Sequence, residues 1–262
     1  MSFDADTIAW SPQCFDRSPL KHLAAEFALA EQKAMPGPDW LNAQRPTKMT
    51  HTFMPQDKVT FNDRYYEQVI GEDKVIPTRA NWHDLFNGLI WCQFPNAKAE
   101  LNRQHIADIH QHGVSPRTAR RNRITHFDEC GVVLAYSEPA ITELLAEHQW
   151  LDGFYSGRPQ WGRTVQAFIF GHANYEMLLA PYIGLTGKWL GLKVEEHFFE
   201  QSRAAQYAQL DTKLAFRLRQ EDCLATRGAL HPLPLLGVPG WYENQSPAFY
   251  QNQNYFMPKR RR

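Results

Sequence analysis

Ile124-Thr125-His126-Phe127, then Asp128-Glu129-Cys130-Gly131, then Val132-Val133-Leu134-Ala135-Tyr136, reads as strand, turn, strand. Aspartate suits the first position of a type I turn and glycine its close, while the flanking runs carry branched and aromatic residues that fit a pleated surface. This hairpin over 124–136 is the clearest β signal in the chain. Most of its surroundings are helical in period. The expected fold class is therefore α+β, predominantly helical, with a small antiparallel sheet built from the hairpin and a strand near 188–194.

Working toward the amino terminus, Asn81 precedes Trp82, Leu85, Phe86, Leu89 and Ile90, which recur at helical spacing. A second helix restarts after Pro95 and runs to a glycine stop at Gly113. Tyr65 to Ile70 suggests a short helix closed by Gly71. Ser18-Pro19 opens a helix that ends before Pro36-Gly37-Pro38, and 39–60 reads as a long wrapping loop. Toward the carboxyl end, Ser137 caps a helix carrying Ile141, Leu144, Leu145 and His148 on one face. Trp161 to Pro181 is expected to be one buried helix, and Leu210 to Leu224 an amphipathic one. The stretch from His231 to Trp241 is too rich in proline for either regular form and too apolar to float free, so it is expected to pack on the body.

A chain of 262 residues supports one hydrophobic core, so a single globular domain over 1–262 is expected: 1–64 as helix plus loop, 65–256 as the main body, 257–262 as a basic tail. Apolar residues at 43% and charged residues at 21% exclude disorder. Lysine plus arginine equals aspartate plus glutamate at 28 each, so no global field draws the chain to nucleic acid or membrane. Cys14, Cys92, Cys130 and Cys223 are scattered without a metal or disulfide pattern and read as reduced thiols of a cytoplasmic protein. The opening Met1 to Asp6 carries acids where an export signal needs bases. Val165 to Leu192, the most apolar stretch, is interrupted by His172, Asn174, Glu176 and Lys188 and fails as a bilayer span. Phosphate loops, nucleophile elbows, zinc-protease and dinucleotide fingerprints are all missing from the sequence.

Polar residues planted where polarity is costly mark the candidate site. On the expected helix around residue 170, His172 and Glu176 share a face with Val165, Phe168, Ile169 and Leu179. A buried carboxylate needs a partner, which makes the two either a core pair or an acid-base site. Around Asn81 to Asn87, His83 and Asn87 stand one turn apart beside Asp84, which suits either a metal or phosphate site or, at the third helical position, a capping arrangement. In the expected hairpin, His126 and Asp128 share a strand face, while Asp128 also suits the turn and Glu129 reads as exposed. His105, Asp108 and His112 have metal-ligand spacing but lie among polar neighbours and read as a solvated surface. Arg117, Arg120, Arg121 and Arg123 form a basic run able to grip phosphates, joined by Arg79, and Lys259 to Arg262 form another.

The segments 77–87, 94–98, 125–129, Phe170-Gly171-His172-Ala173 with Glu176, and 234–241 together resemble a bacterial, mainly proteobacterial family catalogued as domain of unknown function three-zero-two-five. The likeness spans roughly Tyr65 to Phe256, leaving the stretch before Tyr65 outside it. It implies a bacterial cytoplasmic protein and brings no cofactor or residue role with it.

Two imidazoles with one or two carboxylates suit Zn²⁺, Mn²⁺ or Fe²⁺. The expectation is thus a metal-dependent hydrolase acting on a phosphoester or other phosphorylated small molecule, with a divalent transition metal as cofactor. His172, Glu176 and Asp128 are its expected catalytic residues; His83, Asp84 and His126 its metal ligands; Arg79, Arg117, Arg120, Arg121 and Asn87 its substrate contacts. Without metal, the same groups could do acid-base work. Two other readings stand beside it: an RNA- or ribonucleoprotein-binding protein using the arginines with Trp161 and Tyr155, and an adaptor in which the polar pairs are purely structural.

Overall fold

The computed structural model describes residues 8–226 and 228–259; the acidic opening Met1 to Asp6 and Arg260 to Arg262 of the basic tail lie outside them. Its elements run α1 (Lys21–Phe27), α2 (Pro38–Gln44), β1 (Thr52–Pro55), α3 (Tyr66–Asp73), β2 (Val75–Thr78), α4 (Trp82–Gln93), α5 (Pro95–His112), α6 (Ala119–Cys130), β3 (Gly131–Tyr136), α7 (Ala140–Ala146), β4 (Val165–Ile169), α8 (His172–Met177), β5 (Thr186–Lys193), α9 (Arg203–Gln220), β6 (His231–Pro234) and α10 (Pro247–Tyr250). The class is α+β, as expected. The sheet is not purely antiparallel: four strands run in the order β4-β3-β5-β6, with β3 and β5 parallel and the outer pairings antiparallel. A separate parallel pair joins β1 to β2. Among the described residues, no helix is long and apolar enough to cross a membrane.

The expected hairpin is half helix. Residues 124–130 belong to α6, whose start lies upstream, where the Thr118 hydroxyl accepts from the Arg121 amide at 3.0 Å and donates to Asp108 on α5 at 2.7 Å. Ile124 and Phe127, both fully buried, are three apart, which is helical spacing, but two positions are too short a run to decide the period from the sequence. The deciding cap is tertiary as much as local, and the arginines at 120–123 carry no apolar rhythm to announce it. The strand half is right: Val132 to Ala135 are fully buried between β4 and β5.

The single helix expected over 161–181 is a strand and a short helix. Val165 to Ile169 pair with Val132 to Tyr136, and an uninterrupted apolar run fits a buried strand as well as a buried helix. Gly171 enforces the break. A Cβ there would lie 2.3 Å from the Gly131 nitrogen and 2.4 Å from the Glu129 carbonyl oxygen, so only glycine lets the two backbones meet. The Gly131 carbonyl accepts from the Phe170 and Gly171 amides at 3.0 and 2.8 Å, tying the α6–β3 junction to the β4–α8 junction.

Elsewhere the helix pair α4 and α5 and the strand β5 stand where their periods put them. Gly71 lies inside α3, which closes instead at Lys74 in a left-handed conformation (φ 57°). The expected loop 39–60 contains α2 and β1. The proline-rich tail does pack: Pro232 and Pro234 sit in β6, an edge strand, where a missing amide donor is tolerated. A continuous core links Phe15 and Leu20 near one end of the chain with Tyr255 and Phe256 near the other. Within it Phe86 stacks on Tyr175 (centroids 5.5 Å apart) and Phe127 on Phe170 (4.8 Å), fixing α4 and α6 against the β4–α8 segment.

Candidate functional site

A cleft of about 370 Å³ opens where α4, α5, α6 and α8 meet, with α3 along one side. Each helix contributes a stripe at helical spacing: His83, Asn87 and Trp91 from α4; Lys98, Asn102 and His105 from α5; Thr125, Asp128 and Glu129 from α6; and His172 from α8.

At its inner end two histidines face each other. His83 Nε2 and His172 Nε2 are 3.0 Å apart, their rings nearly perpendicular at 83°. Glu129 Oε2 lies 3.3 Å from His172 Nε2, and one ligand-type atom from each of His83, Glu129 and His172 falls within 4.8 Å of the other two. Behind His83, Glu176 Oε2 accepts from Nδ1 at 2.8 Å, so the Nε2 lone pair is turned toward His172.

The electrostatics of the set are opposed. His83 is raised above the usual histidine range, chiefly by its hydrogen bond to Glu176. Burial, helped by the Lys98 ammonium, drives His172 down to about 3, so it is a neutral base. Its Nδ1 is buried without a well-formed hydrogen bond. Glu129 is raised by burial first and by the neighbouring Asp128 carboxylate second. Two imidazole nitrogens thus compete for one proton beside a carboxylate that is costly to ionise, and a cation relieves both conditions.

The other carboxylates are committed. Asp128 accepts from Lys98 Nζ at 2.6 Å; burial works to raise its pKa, but the Lys98 ammonium outweighs this and holds it low. Lys98 also donates to Asn87 Oδ1 at 2.9 Å. Asp84 takes three hydrogen bonds from Arg79, from its amide at 2.6 Å and from Nε and Nη2 at 3.0 Å each. Its own amide donates to Asn81 Oδ1 at 2.8 Å, which is the capping arrangement.

The structure therefore brings His83, Asn87, Asp128 and His172 together with Glu176, and places Arg79, Asp84 and Arg117 on the cleft wall. It does not bring His126 there. On a helix, residues 125, 128 and 129 share a face and 126 turns away, so His126 is exposed on the side of α6 toward Lys188. Arg120 pairs with Asp222 at 2.7 Å, and Arg121, 1% exposed, donates to the Gly113 and Val114 carbonyls. Neither lines the cleft. Sequence reasoning passed over Glu129, read as exposed, and Lys98. It also set aside His105 as solvated, whereas His105 and Asp108 are 7% and 4% exposed. The helical spacing of Lys98, Asn102 and His105 was the available signal, masked by equally polar neighbours.

The fold and cleft define a mixed α+β protein with a two-histidine, one-glutamate cluster at a helix junction. More particularly, residues 51–260 match the family described as "Protein of unknown function (DUF3025)", and the chain belongs to that family. The match starts at residue 51, so β1 lies inside it, ahead of the boundary at Tyr65 expected from the sequence. No curated protein and no solved structure matches the chain.

Proposed function

We propose that this protein is a metal-dependent hydrolase of a phosphoester or phosphorylated substrate, with a divalent transition cation such as Zn²⁺, Mn²⁺ or Fe²⁺ held by His83, His172 and Glu129. The observation that carries this reading is the convergence of the two Nε2 atoms and a glutamate oxygen, at 3.0 and 3.3 Å from His172 Nε2. In a tetrahedral site with metal–nitrogen bonds of about 2.0–2.1 Å, neighbouring ligand atoms stand roughly 3.3 Å apart, so the spacing suits one cation in place of the shared proton. The 38% exposure of the Glu129 side chain leaves it free to adjust. Glu176 on Nδ1 completes the carboxylate–histidine–metal arrangement that fixes tautomer and ring orientation.

Three protein ligands leave a position for water, which the cation would acidify into a nucleophile. Charge on the cleft wall supports an anionic substrate once the cation is bound. Arg79 offsets Asp84 and Lys98 offsets Asp128, and Arg117 and Glu67 both line the cleft with opposite charges. A divalent cation against Glu129 then tips the wall positive. The four thiols are free, which supports the cytoplasmic setting. The RNA reading has less behind it. Arg121 is buried, Arg120 is ion-paired, Arg123 donates to the Leu224 and Ala225 carbonyls, and Trp161 donates to the Gly153 carbonyl.

Elemental analysis of untagged protein is expected to give about one transition metal per chain, lost in His172→Ala. Metal-free protein that gains no thermal stability from added Zn²⁺ or Mn²⁺ would end this reading.

A further inference from the structure

Among the described residues, three polar groups on the cleft wall have hydrogen-bonding capacity that no other group takes up. Lys98, whose side chain is only 4% exposed, spends two of its three ammonium donors on Asp128 and Asn87. The third has no hydrogen-bond acceptor among the described residues; the ammonium lies 5.5 Å from the centroid of the Trp91 ring, itself on the cleft lining, and its charge depresses His172. His105 stands seven positions further along α5, almost the same direction on a helix, and is 93% buried by its 7% exposure; its Nδ1 has no hydrogen-bond partner among the described residues. Thr125 lines the same cleft from α6, one turn before Asp128, and its buried Oγ1 also has no partner among the described residues. Buried polar atoms are almost always satisfied, and an unsatisfied one costs roughly 1–3 kcal/mol. Two of them lining one cleft, beside a fixed ammonium with a donor to spare, form a built receptor for an oxygen-rich ligand.

We propose that Lys98, Thr125 and His105 form the subsite that grips the phosphoryl oxygens of the substrate, adjoining the His83–His172–Glu129 cluster. This rests on the hydrolase reading for its placement beside a metal, and it assigns the substrate's charged group to the groove between α5 and α6. Asp128 and Asn87 act as positioning residues, holding Lys98 Nζ at 2.6 and 2.9 Å so that its remaining N–H has one direction. Arg117, at the rim of the same cleft and in no ion pair among the described residues, would meet the phosphate or its ester oxygen from the solvent side.

The test is calorimetric titration of inorganic phosphate into the full chain, first loaded with Mn²⁺ and then metal-free, with metal content measured independently. Lys98→Met alone would strand the Asp128 carboxylate, so it is paired with Asp128→Asn. The double variant is expected to weaken phosphate binding on the order of tenfold to a hundredfold, the scale of a lost charged hydrogen bond. Thr125→Val removes an unsatisfied hydroxyl without changing shape. Its melting temperature is expected to hold or rise, while phosphate affinity falls about fivefold, the scale of one neutral hydrogen bond. A purely structural threonine would not separate the two readouts. Metal uptake with phosphate binding indifferent to both variants overturns the subsite and leaves the metal site standing. Failure to take up metal, with phosphate binding that still depends on Lys98 and Thr125, overturns the metal reading and keeps the subsite. Absence of phosphate binding in both forms of the unmodified chain overturns the subsite.

Discussion

Replacing Glu176 tests the arrangement around His83 without touching a proposed ligand. Glu176 Oε2 lies 2.8 Å from His83 Nδ1, and the two side chains are 20% and 34% exposed, so the contact is partly screened by solvent. Its effect is twofold: it holds the proton on Nδ1, leaving the Nε2 lone pair for a cation, and its charge makes the ring a stronger donor. Groups in this position are worth 10- to 100-fold in metal affinity, or about 1.4–2.7 kcal/mol. Glu176→Gln keeps an oxygen able to accept from Nδ1 and removes only the charge, so Zn²⁺ affinity is expected to fall by about tenfold, at the lower end. Glu176→Leu removes both effects. The proton then shifts toward Nε2, where the cation must bind, and the loss is expected to approach the upper end. The assay is competition against a chromophoric chelator at fixed pH, with Glu196→Gln, an exposed site on the same protein, as control. Native circular dichroism with Zn²⁺ affinity unchanged in both Glu176 variants would refute the reasoning.

Asp84→Asn is expected to leave metal stoichiometry at the unmodified value while lowering stability by about 1–3 kcal/mol, because it strips the charge from a carboxylate holding three Arg79 contacts; loss of metal would restore Asp84 as a ligand. His126→Ala should change stability by no more than about 0.5 kcal/mol and metal content not at all, as measured by denaturant melts and elemental analysis. Gly171→Ala forces a methyl group against the Gly131 and Glu129 backbones at 2.3–2.4 Å, and should cost about 3 kcal/mol or more and displace Glu129 from His172, seen as joint loss of stability and metal. In metal-free protein, His172 and His22 titrate near 3 and His51 near 4 when folded. Unfolding then takes up protons below the ordinary histidine value, so stability is full above pH ~6.5 and falls as pH drops toward 4, by up to about 1.4 kcal/mol per pH unit per histidine. His83, raised when folded, works in the opposite sense, adding stability below that value and losing it as pH rises. A melting temperature that stays level or climbs from pH 7 to pH 5 would contradict the neutral, buried assignment of the three.

What could be read from the residues followed the length and purity of the pattern. The α4–α5 pair was legible because Trp82, Leu85, Phe86, Leu89 and Ile90 repeat over three turns and both Pro95 and Gly113 punctuate it. The chain from Val165 to Pro181 was not, because apolar residues crowd both faces and periodicity loses its meaning there. His172 and Glu176 were still singled out correctly as polar groups among oily neighbours. They belong, however, to a short helix after a strand and do not bond each other: Glu176 reaches His83, and His172 reaches His83 and Glu129. The parallel pairing of β3 with β5 could not be seen either, because a strand's period says nothing about its neighbour.

The error over residues 124–130 is the instructive one, because it exchanged one site residue for another. Strand geometry repeats every two residues and pairs 126 with 128; helix geometry repeats every three or four and pairs 125 with 128 and 129. Only the choice of period separates a site containing His126 from one containing Thr125 and Glu129. That choice was made by contacts from outside the segment: Thr118 reaching Asp108 on α5, and Phe127 closing on Phe170. The same two contacts fix the face that α6 shows to α5 and α8. Capping and chemistry are therefore coupled in this fold. Removing the cap with Thr118→Ala should loosen the first turn of α6 by about 1 kcal/mol and lower metal affinity, although Thr118 does not line the cleft. Hydrogen exchange across 119–130 measured beside Zn²⁺ affinity would show the two moving together. Frayed amides with intact affinity would show instead that the Phe127–Phe170 stack alone holds Glu129 in place.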